Sequence, residues 1–96
     1  MKINFNVSFS NYKGQPTQDI IGDKVAEALF TAGMQNNQIK NEDKYKAYKI
    51  CRKISEAQGE IEISTEEASL IKTVCVNYLT AGGYGQLHEL IEGIIN

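Results

Sequence analysis

Lys40, Lys44, Lys46, Lys49, Arg52 and Lys53 fall within fourteen residues, with Tyr45 and Tyr48 interleaved among them. Basic side chains neutralise phosphates and tyrosine rings stack on bases, so this composition could hold a nucleic acid. The same cluster would also attract an acidic protein surface. A third reading is plain solvation, because a lysine-rich helix face opposite an apolar stripe usually meets only water. The acidic remainder of the chain weighs against nucleic acid.

A second candidate surface is uncharged. Ser69, Thr73, Asn77 and Thr80 recur at helical spacing, with Val76 beside them. Burying a hydroxyl costs less than burying an ion, so such a stripe suits contact with another helix or a second copy. A solvated face is the alternative. Ile94 and Ile95 follow at the end of the sequence with little chain left to cover them. They are expected to dock on the core or on another subunit, and with the stripe they form the expected self-association surface.

The remaining reactive groups do not assemble into a chemistry. Gly82-Gly83-Tyr84-Gly85 could offer backbone amides to an anion. It lacks a P-loop lysine and follows no strand, so neither nucleotide fingerprint is met. A tight turn between helices accounts for it. His88 has no serine or cysteine near it in sequence. Glu66 and Glu67 are explained by helix capping and the helix dipole. Cys51 and Cys75 each fall on an apolar helix face and read as buried thiols behaving as small hydrophobes. A disulfide between them would need an oxidising compartment, and two cysteines with one distant histidine do not make a zinc site. No catalytic residue, cofactor site or metal site is expected, and the chain does not read as an enzyme.

These side chains need elements to position them. Ile63 to Gly83 reads as one core helix, with Ser64 and Glu67 as a capping box and Gly82-Gly83 as its stop. Leu70, Ile71, Val74, Cys75, Tyr78 and Leu79, with Ala68, form its broad apolar face. The basic cluster lies on a helix at about 42–58, capped by Asn41 and ended by Gly59, whose buried stripe is Ala47, Ile50, Cys51, Ile54 and Ala57. An earlier helix is expected over Ile20–Ala32, with Asp19 as cap, Gly33 as stop, and Ile21, Val25, Ala28, Leu29 and Ala32 on one face; Gly22 weakens its first turn. The polar run from Gly33 to Lys40 reads as a loop with Asn36-Asn37 at its tip. A last helix is expected from about Tyr84 to Glu92, facing Tyr84, Leu87, Leu90 and Ile91 inward.

Two stretches show a period of two. Ile3, Phe5, Val7 and Phe9 alternate with polar residues across Lys2–Ser10, the pattern of a half-buried strand. Tyr12 to Pro16 carries turn residues, and the chain can return as a short edge strand near Gln15–Gln18. Glu60-Ile61-Glu62-Ile63 is a second short strand, expected to pair with Lys2–Ser10. The expected fold is therefore α+β: an N-terminal strand or short hairpin plus the EIEI strand, packed on a bundle of about four helices.

The bounds agree with this. Ninety-six residues suit one small globular domain, and 42% hydrophobic with 23% charged residues is ordinary composition. No apolar run approaches the roughly 18–20 residues that span a bilayer, and the alternating start is unlike a signal peptide, so a cytoplasmic protein is expected. The net charge of −2 hides a segregation: residues 40–53 set six basic groups against two acidic ones, while residues 54–96 set seven acidic groups against Lys72 alone. A surface polarised in this way can orient encounters with partners or with other copies.

The assembled pattern resembles small uncharacterised proteins encoded by bacteriophages and prophages. The segments that carry the likeness are KYKAYKICRKI, EIEI, ISTEEASLIKTV, TAGGYGQ and LHELIEG, together with the strand, the turn at YKGQP and the helix at IGDKVAEALF. The resemblance implies a phage gene product made in a bacterial cytoplasm and transfers no catalytic residue. The leading expectation is a non-enzymatic phage-type accessory protein that binds a host or virion protein and self-associates. The alternative is a nucleic-acid-binding regulator using the basic face formed by Lys44, Tyr45, Lys46, Tyr48, Lys49, Arg52 and Lys53. A weaker third reading is a binder of small phosphorylated or nucleotide ligands near that face.

Overall fold

A computed structural model describes residues 1–34 and 39–93. The expected Asn36-Asn37 tip and the terminal Ile94 and Ile95 lie outside the described residues. The element order is β1 (Lys2–Asn4), β2 (Ser8–Ser10), β3 (Pro16–Ile20), α1 (Ile21–Phe30), α2 (Asn41–Glu56), β4 (Glu60–Glu62), α3 (Thr65–Cys75) and α4 (Ala81–Glu92). The fold is α+β, as the periodicities predict: four helices and two small antiparallel sheets, β1–β4 and β2–β3, among the described residues.

The expected strand over Lys2–Ser10 is two strands in two sheets. Its alternation survives in burial, since Ile3, Phe5 and Phe9 are all buried. Its hydrogen bonds change partner halfway. Ile3 stands opposite Ile61 in the β1–β4 pair, and Ser8 opposite Ile20 in the β2–β3 pair. Between them the Asn4 side chain accepts from the Asn6 amide at 2.9 Å, while the carbonyls of Phe5 and Val7 accept from Gly22 and Ile21 at 2.8 Å each. Those two bonds satisfy amides of the first turn of α1. This explains why α1 has no side-chain cap and why Asp19, the expected cap, lies in β3 instead. A Cβ added to Gly22 would stand 3.0 Å from the Phe5 carbonyl oxygen and 3.2 Å from the Phe5 Cβ. Glycine here permits a close helix–strand approach rather than merely weakening the helix.

The hairpin appears where the turn residues place it. Asn11 and Gln15 are joined by backbone and side-chain bonds, and Gly14 takes φ +82° in the turn. The expected return strand is β3, with Pro16 opposite Ser10 at the sheet's open edge. The EIEI segment supplies β4, and its last residue, Ile63, is fully buried.

The core helix differs most from expectation. The capping box is present, with the Glu67 amide donating to Ser64 Oγ and the Ser64 amide donating to Glu67 Oε1. The helix then ends at Cys75, not at Gly82-Gly83. The amides of Tyr78 and Leu79 both bond the Cys75 carbonyl, and Thr80 Oγ1 accepts from the Gly83 amide to cap α4. The two glycines sit in the first turn of α4, where amides have no helical partner to lose and the helix penalty is small. The break turns α4 back so that Leu87 and Ile91 enter the core; Tyr78, expected inward, is exposed. Small boundary differences occur elsewhere. Lys40 rather than Asn41 is the N-cap of α2, without a side-chain bond, and the helix stops at Glu56 before Gly59 is reached.

The core gathers Phe5, Val25, Ala28, Leu29, Ile50, Ile54, Ile63, Ile71, Val74, Cys75 and Leu87 from every helix and from the strand segments. Of the stripes expected on α1 and α2, Ile21, Val25, Ala28, Leu29, Ala47, Ile50, Cys51 and Ile54 are in it, while Ala32 and Ala57 fall past the helix ends and are half-buried. Both cysteines are buried and free.

Candidate functional site

The α2 helix buries Ala47, Ile50, Cys51 and Ile54. At 100° per residue its outward crest is Tyr45, Lys49, Arg52 and Glu56. Tyr48 and Lys44 lie on the shoulder toward α1, where a Cβ at Gly33 would stand 2.9 Å from Lys44 Cε. Lys46 and Lys53 lie on the shoulder toward α3. The seven residues of the expected basic face are thus spread over three sides of one helix.

From the crest to the α1 shoulder, the rings of Tyr45 and Tyr48 stack with centroids 6.5 Å apart. Lys49 Nζ stands 5.3 Å from the Tyr45 ring centre, and the Arg52 guanidinium 6.0 Å from that of Tyr48, both within cation–π range. Arg52 also donates to the Tyr48 hydroxyl at 3.1 Å and grips Glu56 Oε2 through Nε and Nη2 at 3.1 and 2.8 Å. Those bonds hold its charge even more firmly than usual, the Glu56 hydrogen bond contributing most. Both rings are solvent-facing, with Tyr45 68% and Tyr48 41% exposed.

The α3 shoulder is a matched pair of charges. Lys53 Nζ meets both oxygens of Glu67 at 3.1 and 2.9 Å and the Glu62 carbonyl at 3.0 Å. Burial alone would raise the Glu67 carboxyl, but the Ser64 amide and Lys53 together pull it below the ordinary carboxylate range. Lys46 stands 3.9 Å from Asp43. Among the described residues Lys40, Lys44 and Lys49 have no carboxylate within ion-pair distance.

An open groove of about 840 Å³ separates α2 from α3. Ile39, Ile50 and Leu70 give it apolar surface, Lys46 and Lys49 line the α2 side, and Ser69 and Thr73 line the α3 side. The structure therefore brings part of the uncharged stripe against part of the basic face, a juxtaposition that sequence spacing does not reveal. The rest of the stripe is elsewhere. Val76 and Asn77 are exposed in the turn after α3, Val76 by 49%, and Thr80 caps α4. A continuous stripe needs the single helix that the break at Cys75 removes.

Two residues missed from sequence matter here. Phe30, at the last turn of α1, is 69% exposed; its position off the apolar stripe of α1 was the available signal. Gln86 on α4 pairs with the Ser10 backbone in both directions, accepting from the amide at 2.7 Å and donating to the carbonyl at 2.9 Å. Nothing local marks that role.

The other reactive groups stay apart. His88 lies beside the Tyr84 ring. Burial pushes the Cys75 thiol up to about 12 and raises that of Cys51. Among the described residues no three His, Cys, Asp or Glu side chains are grouped as metal ligands would be, and no helix is long and apolar enough to cross a membrane. No known protein family matches the chain, and neither curated proteins nor solved structures show a significant match to it.

Proposed function

We propose that this chain is a non-enzymatic interaction protein that binds a protein partner through the outward face of α2. The observation that carries the reading is the stacked Tyr45–Tyr48 pair flanked by Lys49 and Arg52. Tyrosine and arginine supply much of the binding energy at protein interfaces, and a stacked pair loses little freedom on docking. Internal neutralisation supports the same choice. Lys53, Arg52 and Lys46 each already face a carboxylate, which leaves less charge for phosphates than the sequence count suggests.

Nucleic-acid binding is the second reading, favoured by the same stacked rings together with Lys40, Lys44 and Lys49. Self-association belongs to the proposal as well, through exposed Val76 and the neighbouring Asn77. A phage accessory role in a bacterial cytoplasm rests on the resembling segments alone.

The deciding experiment captures partners from a bacterial lysate on the immobilised chain at low and high salt. A protein partner retained at high salt, and lost when Tyr45 and Tyr48 are both replaced by alanine, is the expected result. Partner recovery indifferent to that double substitution would remove the reading. Binding of oligonucleotides that collapses as salt rises would favour the alternative.

A further inference from the structure

The α1 and α2 helices run antiparallel, and two observations fix their alignment. Gly33, just past α1, lies against Lys44, while Gly22 and Asp23 share a small cavity with Ile54 and Ser55. Both pairings place residues whose numbers sum to about 77 at the same level. Phe30 therefore stands level with Ala47 and Tyr48. It is four residues after Ala26 and eight after Gly22, on the side of α1 that turns toward α2.

The helix register thus sets exposed Phe30 on α1 at the level of the stacked Tyr45–Tyr48 pair on α2, three exposed aromatic side chains on two neighbouring helices. With about 200 Å² for a whole aromatic side chain, their exposed fractions leave roughly 350 Å² of aromatic surface. That falls in the range of about 300–600 Å² for the largest apolar patch on a typical monomer, a patch that is often functional. It is less than half of the roughly 800 Å² that each partner contributes to a standard stable complex. The occupant should therefore be a short segment rather than the whole face of a second copy.

The surrounding charge gives the chemistry of that segment. Lys44, Lys49 and Arg52 border these rings. Of the nearby carboxylates, Glu56 is engaged by Arg52, Asp43 by Lys46 and Glu27 by Lys24 at 3.8 Å, while Glu42, one turn before Tyr45, is exposed. Among the described residues the border therefore keeps Lys44 and Lys49 without an acidic partner. We infer that the band formed by Phe30, Tyr48 and Tyr45 docks an acidic protein segment that carries apolar or aromatic anchors, its carboxylates meeting Lys44 and Lys49. This inference rests on the protein-binding reading of α2 and adds the α1 residue and the partner's chemistry.

The test is an amide-shift NMR titration of the full chain with three probes. The first is a short helical peptide of Glu, Ala, Leu and Phe with its apolar residues along one face. The second is the same peptide with Lys for every Glu, and the third is a single-stranded oligothymidine. The expected result is saturable binding of the acidic peptide with shifts centred on Phe30, Lys44, Tyr45, Tyr48 and Lys49. The lysine peptide should bind at least about tenfold more weakly, and Phe30→Ala or Tyr48→Ala should weaken the acidic peptide by about tenfold. Phe30 is exposed, so its alanine variant should keep the wild-type circular dichroism.

Absence of saturable binding, equal affinity for the two peptides, shifts centred on α3 or α4, tighter binding of the oligonucleotide, or an unaffected Phe30→Ala variant would each overturn the inference. If the lysate partner depends on Tyr45 and Tyr48 while the acidic peptide fails, the inference falls and the protein-binding reading stands. If that partner ignores both tyrosines, the reading itself falls.

Discussion

Gly22 and Glu67 show how single side chains, or the lack of one, decide local energetics. Alanine is the better helix former by about 1 kcal/mol, so Gly22→Ala would stabilise an isolated helix. In the fold its Cβ would press on the Phe5 backbone at 3.0 Å. We expect a net loss of about 1–3 kcal/mol, the usual scale for overpacking, read as a lowered urea midpoint. An unchanged or raised midpoint would show that the helix and strand can move apart freely. Phe5→Ala removes a buried ring from the same contact and should cost about 3–5 kcal/mol.

Glu67 carries a pH dependence. Its folded carboxyl titrates below the ordinary range because the Ser64 amide and Lys53 overcome its burial. As pH falls, the unfolded chain therefore takes up this proton before the folded one does. The stabilisation is complete above the ordinary carboxylate value and disappears as pH drops through the lower folded value. Urea melts of wild type and Glu67→Gln should differ at neutral pH and converge only once the pH has fallen well below the ordinary glutamate value of about 4.3. A gap that persists at lower pH would mean the charge is not what Glu67 contributes. The thiols at Cys51 and Cys75 give a simpler readout: burial should make their labelling slow in the native protein and fast once it is unfolded.

At the scale of elements, the patterns with strong local signals were legible and those settled by distant partners were not. The stripes of α1 and α2, the Ser64–Glu67 capping box and the pairing of EIEI with the N-terminal strand all follow from periodicity and short-range chemistry. The division of Lys2–Ser10 into two strands does not, because the change of partner at Phe5 and Val7 depends on amides of α1 that sequence spacing cannot place. The end of α3 was missed for a related reason. Gly82-Gly83 is a stronger textual stop than Thr80, yet Thr80 has the oxygen that starts a new helix. Thr80→Ala should cost about 1 kcal/mol, measured by denaturation and by loss of protection at the Gly83 and Tyr84 amides. The candidate site was legible as a set of residues on α2 but not as a shape. Its ion pairs, the groove against α3 and the partnership with Phe30 all require the neighbouring helices.

For the whole molecule, charge segregation and exposed apolar residues bear on assembly. The sequence sets six basic groups against two acidic ones over residues 40–53 and seven acidic groups against one basic over residues 54–96, a segregation that can orient copies toward one another, and Val76 stands exposed at a helix junction. We expect association at micromolar concentration that weakens with salt and shifts toward monomer in Val76→Lys, seen by light scattering after size exclusion. A monomer mass at every concentration would leave Val76 as ordinary surface.

The Gln86 bridge to Ser10 has a consequence in time. It joins residues 76 positions apart, while β1 waits for β4 across a similar stretch, Lys2 finding Glu62. Chain closure over such spans brings no reward until both ends exist. As the protein is synthesised, the first strand leaves the ribosome long before either of its anchors. The β2–β3 hairpin can form early on its own turn and dock on the start of α1, but it gains its Gln86 anchor only when α4 emerges. The synthesis of β4 and α4 therefore governs when residues 2–10 complete their pairing.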